Sequence, residues 1–322
     1  MGFLSAWLYS QLFVTPKYPT ESFADQTIIV TGSNVGLGLE AARHFARCNA
    51  KRVILAVRNV AAGEKAKQSI EESTSRQNVC EVWELDLASY ASVKAFAERA
   101  SKLSRIDVLL ENAGIATQNF TLAEDHERTI AVNVISTFLL GLLLLPKLKE
   151  TAKQIPTAKP HWIIVTSEVH ALTNLPESKS PNTFEVLDDE KKANMQVRYP
   201  TSKLLEVLVV RKIAPKLADS GVILNMPNPG MCHSELAREL GFSAWLLKLV
   251  LARTTEVGSR TLVAAAIVGN ESHGAYMTDG KVSNGALSAF VTSEDGQKAQ
   301  EKVWLELKEI LEKIVPGVTG SF

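Results

Sequence analysis

The chain has 322 residues, of which 46% are apolar and 22% charged, enough to bury a sizeable core without disulfide or metal staples. Thirty-five basic residues balance thirty-five acidic ones, which excludes a net field for nucleic acid or an anionic membrane surface. The three cysteines (Cys48, Cys80 and Cys232) are scattered and form no C-x-x-C pair, so no disulfide framework and no bound metal is expected, and a reducing, cytoplasmic setting is.

Residues 1–24 read as an N-terminal extension. Residues 1–14 carry no charge, and Leu4, Leu8 and Leu12 recur every four residues with Phe3 and Trp7 beside them. The segment lacks the basic start of a secretory signal, and Ala6 stands where a myristoylation signal needs Ser or Thr. Two roles remain: a short amphipathic helix peripheral to a membrane, or, as the favoured one, a helix packed on the domain's own body or on a partner subunit. No stretch reaches the roughly 20 apolar residues of a membrane-spanning helix. The longest, residues 138–145, contains Gly141, ends at Pro146 and is expected to be a buried helix.

From Asp25 onward, short β-branched runs alternate with helical stretches, the pattern of a parallel sheet with helices on both faces. Strands are expected at residues 27–31, 52–57, 79–84, 106–111, 162–166 and 222–225, with a weak seventh around 274–277. Helices fill the gaps, for example over 37–48 and 202–217. With no internal repeat and no low-complexity linker, this is one doubly wound α/β domain over residues 25–290, with a central parallel sheet of about seven strands. A C-terminal helical extension covers 291–322. Residues 171–198 stand out as long, polar and rich in turn formers (Pro176, Ser178, Ser180, Pro181, Asn182). A loop of that length is expected to be functional or disordered, and to wall the substrate pocket.

The first strand runs into Thr31-Gly32-Ser33-Asn34-Val35-Gly36-Leu37-Gly38 and then a helix. Glycines there let the backbone turn tightly and approach a pyrophosphate at a helix N-terminus, whose free N–H groups attract anions. The spacing is TGxxxGxG rather than GxGxxG. In the same chain order stand Asp86-Leu87, Asn112-Ala113-Gly114, Asn133, Pro229-Gly230 and Ser234-Glu235-Leu236.

On these motifs residues 25–285 resemble the short-chain dehydrogenase/reductase family, with a flavour of its retinol-dehydrogenase-like branch in Leu55-Ala56-Val57-Arg58-Asn59. The resemblance implies a Rossmann fold binding a nicotinamide cofactor. Gly32, Ser33, Asn34, Gly36, Leu37 and Gly38 would cradle the phosphates, and Asp86 and Leu87 would meet the adenine. Asn112, Ala113 and Gly114 would steady the sheet beside the cofactor. Pro229, Gly230 and Ser234 would lie near the nicotinamide. Asn133 would hold a water linking Lys203 to solvent. The sequence does not fix the oligomer: the resemblance implies that a homodimer would pair through the helices at 133–147 and 202–217, a pairing that an N-terminal extension can alter.

Hydride transfer needs a proton donor for the developing alkoxide. Tyr199 and Lys203 lie four residues apart, hence on one helix face, where the ammonium would lower the phenol's pKa. Tyr90 and Lys94 repeat the spacing, but they follow the third strand, at the adenine end, and are read as a solvated helix pair. Ser167, ending the fifth strand, would hydrogen-bond the substrate carbonyl, with Thr166 as its rival. His170 and His233 flank the mouth and are read as structural. Phe242, Trp245, Leu246 and Leu249 recur at helical spacing, as in a flap or as plain packing. The second strand ends without a carboxylate, and Arg58 suits a 2′-phosphate, so NADP is the expected cofactor. These residues point to an NADP-dependent oxidoreductase interconverting a ketone or aldehyde and an alcohol on an apolar, medium-sized substrate. The family resemblance leaves retinoid- or steroid-like chemistry and a tailoring step of secondary metabolism, the latter favoured with no residue that argues for it. The alternative is a regulatory or scaffold protein that binds NADP without turnover.

Overall fold

Each β-branched run becomes a strand of one sheet in a computed structural model of the chain, which describes residues 3–233 and 251–322. The strands are β1 (Thr27–Thr31), β2 (Arg52–Val57), β3 (Cys80–Glu84), β4 (Val108–Glu111), β5 (His161–Ile164), β6 (Ile223–Asn228), β7 (Tyr276–Thr278) and β8 (Lys281–Val282). Their order is β8-β7-β6-β5-β4-β1-β2-β3. All neighbours are parallel except β8, which turns back antiparallel on β7 through Asp279 and Gly280, both at positive φ. The sheet thus has eight strands rather than about seven, and the weak seventh falls a little later than expected. β1 pairs with β2 on one side and β4 on the other, so the strand order reverses there. In such sheets ligands bind at the carboxyl ends beside that reversal.

The long helices are α1 (Phe3–Phe13), α2 (Gly36–Arg47), α3 (Val60–Thr74), α4 (Tyr90–Ser101), α5 (Thr137–Gln154), α6 (Arg198–Ile213), α7 (Thr255–Ala265) and α8 (Glu294–Ile314). Strand alternation splits the core in two. Ile28, Val30, Val53 and Leu55 pack with Phe45 of α2, Ile70 of α3 and Leu262 of α7. Ile29, Ile54, Leu109 and Trp162 pack with Phe96 of α4, Phe138 of α5 and Leu208 of α6. The helical run Arg128–Gln154 is long and apolar enough to cross a bilayer, which the sequence reading had not credited to any stretch, yet its most apolar window is 89% buried. It is a core helix. Gly141 within it is obligatory, because a Cβ there would overlap the Trp162 ring.

Residues 171–198 are neither a loose loop nor a pocket wall. They complete the 3₁₀ turn Glu168–Leu172, form a second at Pro176–Lys179 and the short helix Thr183–Leu187, and bury Leu175, Phe184 and Leu187 in the same cluster as Val303, Trp304 and Leu307 of α8. Lys302 donates to Ser178 O at 2.9 Å, and Thr183 N to Glu306 Oε2 at 2.9 Å. Three apolar residues hidden among turn formers carry this packing. α8 also lies on α6, whose Leu204, Leu205, Val207 and Leu208 are fully buried within the single chain. The chain's own C-terminal helix thus packs on one of the two helices expected to pair subunits.

α1 docks on the body through polar contacts among its described side chains. Trp7, Ser10 and Gln11 make the contacts, while Tyr9, Leu12 and Phe13 stay exposed. Arg253 anchors the helix, donating to Ser10 O (2.7 Å), Val14 O (3.1 Å) and Asp279 Oδ1 (2.6 Å).

Candidate active site

A cavity of about 520 Å³ opens along the carboxyl ends of β1, β2, β4, β5 and β6. Its floor at one end is the glycine turn. Gly32 and Gly36 take φ of +64° and +65°, the left-handed region glycine enters without strain. Nothing lies within 4 Å of where a Cβ on Gly36 would stand, so bare backbone faces the cavity. Val35 caps α2 without a side-chain hydrogen bond, which leaves the first-turn N–H groups free. Uncapped donors at the positive end of a helix, beside bare backbone, fit the pyrophosphate of a dinucleotide.

Asn34 and Leu37 also line this end. Ser33 does not: it is fully buried, and its hydroxyl donates to Val30 O at 2.9 Å, so only its backbone N–H is left for a phosphate. Gly38 packs instead of lining, since a Cβ on it would press on Asn112 Nδ2 and Gly32 O. Asn112 Nδ2 donates to Thr31 O (3.0 Å) and Gly32 O (3.3 Å), and Thr31 Oγ1 accepts from the N–H groups of Asn112 and Ala113. The two strand ends on either side of the reversal are thereby tied together. Arg58, exposed at the end of β2, and Asp86 and Leu87 beyond β3 line the same end. Tyr90 does not line the cavity. It is buried in the core with no hydrogen-bond partner for its hydroxyl, so it is a packing residue rather than a solvated one.

At the other end the cavity meets Gly114, Thr166, Ser167, Tyr199, Lys203, Pro229 and Gly230. Tyr199 and Lys203 share a face of α6, with Lys203 Nζ 5.7 Å from the Tyr199 ring centre. Lys203 Nζ donates to Val165 O at 2.8 Å and to Glu206 Oε1 at 2.7 Å. The Ser167 hydroxyl stands beside the Tyr199 side chain, whereas the Thr166 hydroxyl turns inward to Lys203 O (3.3 Å). Burial raises the Tyr199 phenol above its ordinary range, the Glu206 and Glu168 carboxylates raise it further, and the Ser167 hydrogen bond opposes them. The expected lowering by the ammonium is thus outweighed here, chiefly by burial.

Asn133 is fully buried in a π-helical turn, Ala131–Ser136, a feature often found at functional sites. Its amide is committed to protein: Oδ1 accepts from Ile115 N (2.8 Å), and Nδ2 donates to Ile115 O (2.9 Å) and Ser202 Oγ (3.0 Å). It fixes the strand-end loop against α6 beside Tyr199. His170 is fully buried, donating from Nδ1 to Ser167 O (2.8 Å) and accepting at Nε2 from Ser288 N (3.2 Å), with burial lowering its pKa. His233 is exposed. Ser234 and the stripe Phe242, Trp245, Leu246 and Leu249 lie outside the described residues. None of residues 171–198 lines the cavity.

Sequence reasoning missed three groups. Arg128 lines the cavity without any motif to announce it. Glu206 could have been found from its spacing, three residues beyond Lys203 on one helix face. Glu111 closes an apolar strand run, where a lone carboxylate is itself a signal.

The short chain dehydrogenase family model matches residues 26–167. A short chain dehydrogenase/reductase of a Cryptosporiopsis species, dmxR8, is 49% identical over the whole of both chains. The short-chain dehydrogenase anuD of Penicillium roqueforti is 48% identical over 97% of this chain and 84% of its own. Among solved structures, an NADPH-bound carbonyl reductase from chicken fatty liver superposes with a TM-score of 0.61 at 20% identity, covering 81% of this chain and 99% of that one, a likeness of fold.

Proposed function

Since the chain belongs to the short-chain dehydrogenase/reductase family, we propose that it is an NADP-dependent reductase of a ketone or aldehyde on an apolar, medium-sized substrate. The observation that carries this reading is the meeting of Ser167, Tyr199 and Lys203 at one end of a cavity whose other end holds the glycine turn and Arg58. Gly32, Gly36 and the first turn of α2 would hold the pyrophosphate, Arg58 the 2′-phosphate, Asp86 the adenine, and Pro229 and Gly230 the nicotinamide side. When bound, the cofactor supplies the hydride.

The chain supplies the proton and the geometry. Ser167 donates to the carbonyl oxygen and orients it toward the Tyr199 hydroxyl. Tyr199, kept protonated by burial and by the carboxylates of Glu206 and Glu168, gives its proton to the oxygen as negative charge develops there. The protonated phenol is the form that carbonyl reduction requires. Lys203 stabilises the phenolate left behind.

The proposed setting is a tailoring step of secondary metabolism, a reading supported by the fungal sources of the relatives. NADPH consumption against a panel of carbonyl compounds tests the activity. Binding of NADPH without turnover of any of them would favour a regulatory protein instead. Product profiling after deletion of the gene tests the setting.

A further inference from the structure

Behind Lys203 lies a second, deeper polar group. Glu206 is 2% exposed; its Oε1 accepts from Lys203, while its Oε2 is buried without a hydrogen-bond partner. Glu111, at the end of β4, is 4% exposed. Its Oε2 accepts from Trp162 Nε1 at 2.7 Å, and its Oε1 is likewise buried and unpartnered. Glu111 shares the sheet face of Leu109, the face covered by α5 and α6. Its backbone carbonyl accepts from Val165 N, and the Val165 carbonyl accepts from Lys203, so one strand end brings Glu111 to the lysine. Two buried carboxylates, both ionised, would face one ammonium and leave an oxygen each unsatisfied, a costly arrangement in the interior.

We propose that Glu206 is a positioning residue for Lys203, and that Glu206 and Glu111 hold one proton between them. This inference rests on the reading of Tyr199 and Lys203 given above. The proton resides mainly on Glu111, because Glu206 faces the ammonium. One proton on the two acids leaves them and the lysine neutral together, so that the buried group carries no net charge. Burial drives the Glu111 carboxyl well above its ordinary range, Trp162 opposing and the Glu206 charge adding. Burial likewise pushes Glu206 up to about 7 against the pull of Lys203 and Thr166. The groups acting on the pair are thus Lys203 on α6, the Trp162 indole on β5 and the Thr166 hydroxyl just beyond that strand. Neither α5 nor α8 buries an ionisable side chain among the described residues. On the far side of Lys203, Tyr199 feels Glu206 and Glu168.

The consequence is a phenol that stays protonated to higher pH. Glu206→Gln removes a charge that raises the phenol and frees the ammonium to act on it. The alkaline limb of kcat/KM for carbonyl reduction should therefore move to lower pH by about one unit, the scale on which a neighbouring charge acts, with the Kd for NADPH near wild type. A merely structural role would lower stability or rate without moving the limb. Infrared difference spectra of the protein without cofactor give a readout independent of activity. At neutral pH the wild type should show the carbonyl stretch of a protonated, buried carboxyl, and Glu111→Gln should lose it. A limb that stays in place in Glu206→Gln, or a wild type without that band at neutral pH, overturns the proposal. Because Glu168 is also buried with its carboxyl raised by burial, the band is assigned by its loss in Glu111→Gln and its retention in Glu168→Gln. If Glu111→Gln does not fold, Glu111→Asp, which should shift the band, takes its place. Should the wild type turn over no carbonyl compound, the activity reading fails, while the spectrum still tests the shared proton.

Discussion

Trp7 Nε1 donates to Glu168 Oε1 at 3.2 Å, so the N-terminal helix reaches the residue that follows Ser167. Gln11 extends the same clasp: its Nε2 donates to Met231 O and Leu251 O, both at 3.1 Å, and its Oε1 accepts from Met231 N at 3.2 Å. Gly230 makes room for that amide, since a Cβ there would overlap Gln11 Oε1. α1 thus holds the loop beyond Pro229, at the substrate end of the cavity. Removal of residues 1–14 should raise the KM for the carbonyl substrate about tenfold, the effect of losing hydrogen bonds worth roughly 1.5 kcal/mol. The Kd for NADPH should change less, because the glycine turn is untouched. Steady-state kinetics with both substrates varied checks this, and an unchanged KM would free the helix of any role at the site. Comparing the full and truncated chains for sedimentation with neutral lipid vesicles checks the exposed side, Tyr9, Leu12 and Phe13. The docked helix is expected to leave the full chain in the supernatant.

Tyr199→Phe keeps the ring's packing and deletes the proton donor. Reduction should fall by about 10²–10⁴-fold, the range typical of lost general-acid catalysis, while NADPH binding survives. Tyr90→Phe is the control: its hydroxyl is buried without a partner and away from the cavity, so activity should stay near wild type. Loss of turnover in Tyr90→Phe with retention in Tyr199→Phe would reverse the assignment.

The sheet was legible because its central strands are buried on both faces and read as unbroken apolar runs, Ile28–Val30 and Val53–Val57 among them. The glycine turn was legible because backbone geometry restricts residue choice, as at Gly32 and Gly36. What escaped depends on tertiary contact. Leu175, Phe184 and Leu187 look like chance apolar residues in a polar segment until α8 covers them. The described contacts of α1 are hydrogen bonds to backbone groups and carboxylates, which no apolar periodicity reveals. Glu206 sits at an ordinary helical position, and only the burial of its surroundings turns it into a partner for Lys203.

His44 gives a pH dependence of stability. It is 1% exposed on α2, with Nε2 3.1 Å from Glu256 Oε1 and Arg47 against its other ring nitrogen. Burial lowers its pKa to about 4, helped by the Arg47 charge and opposed by Glu256. Between pH 6.5 and 4 the unfolded chain takes up a proton that the native state refuses, so stability falls as pH falls through that window. Over it the wild type should lose about 3 kcal/mol more than His44→Gln, at about 1.4 kcal/mol per pH unit. Urea unfolding of both proteins at pH 7 and pH 4 measures the difference. If the Glu256 contact dominated instead, the wild type would hold its stability better than the variant on acidification.

Cofactor choice turns on the end of β2. An enzyme of this fold that prefers NAD places a carboxylate there, about 20 residues past the glycines, to bind the ribose 2′-hydroxyl. Here Val57 is followed by Arg58 and Asn59, and the Asn59 side chain is occupied in capping α3, accepting from Ala62 N at 3.0 Å. Arg58 is exposed at the cavity edge, and its planar fork suits a phosphate dianion. A hydrogen bond to a charged group contributes about 1.5–3 kcal/mol, so NADPH should be preferred over NADH by at least about tenfold in kcat/KM. Arg58→Ala should remove most of that preference by weakening NADPH alone, with NADH kinetics nearly unchanged because the 2′-hydroxyl never needed the guanidinium. Kinetics of wild type and variant with each cofactor decide the matter. A wild type that uses both equally, or prefers NADH, would leave Arg58 as a solvent-facing strand end and withdraw NADP from the proposed reaction.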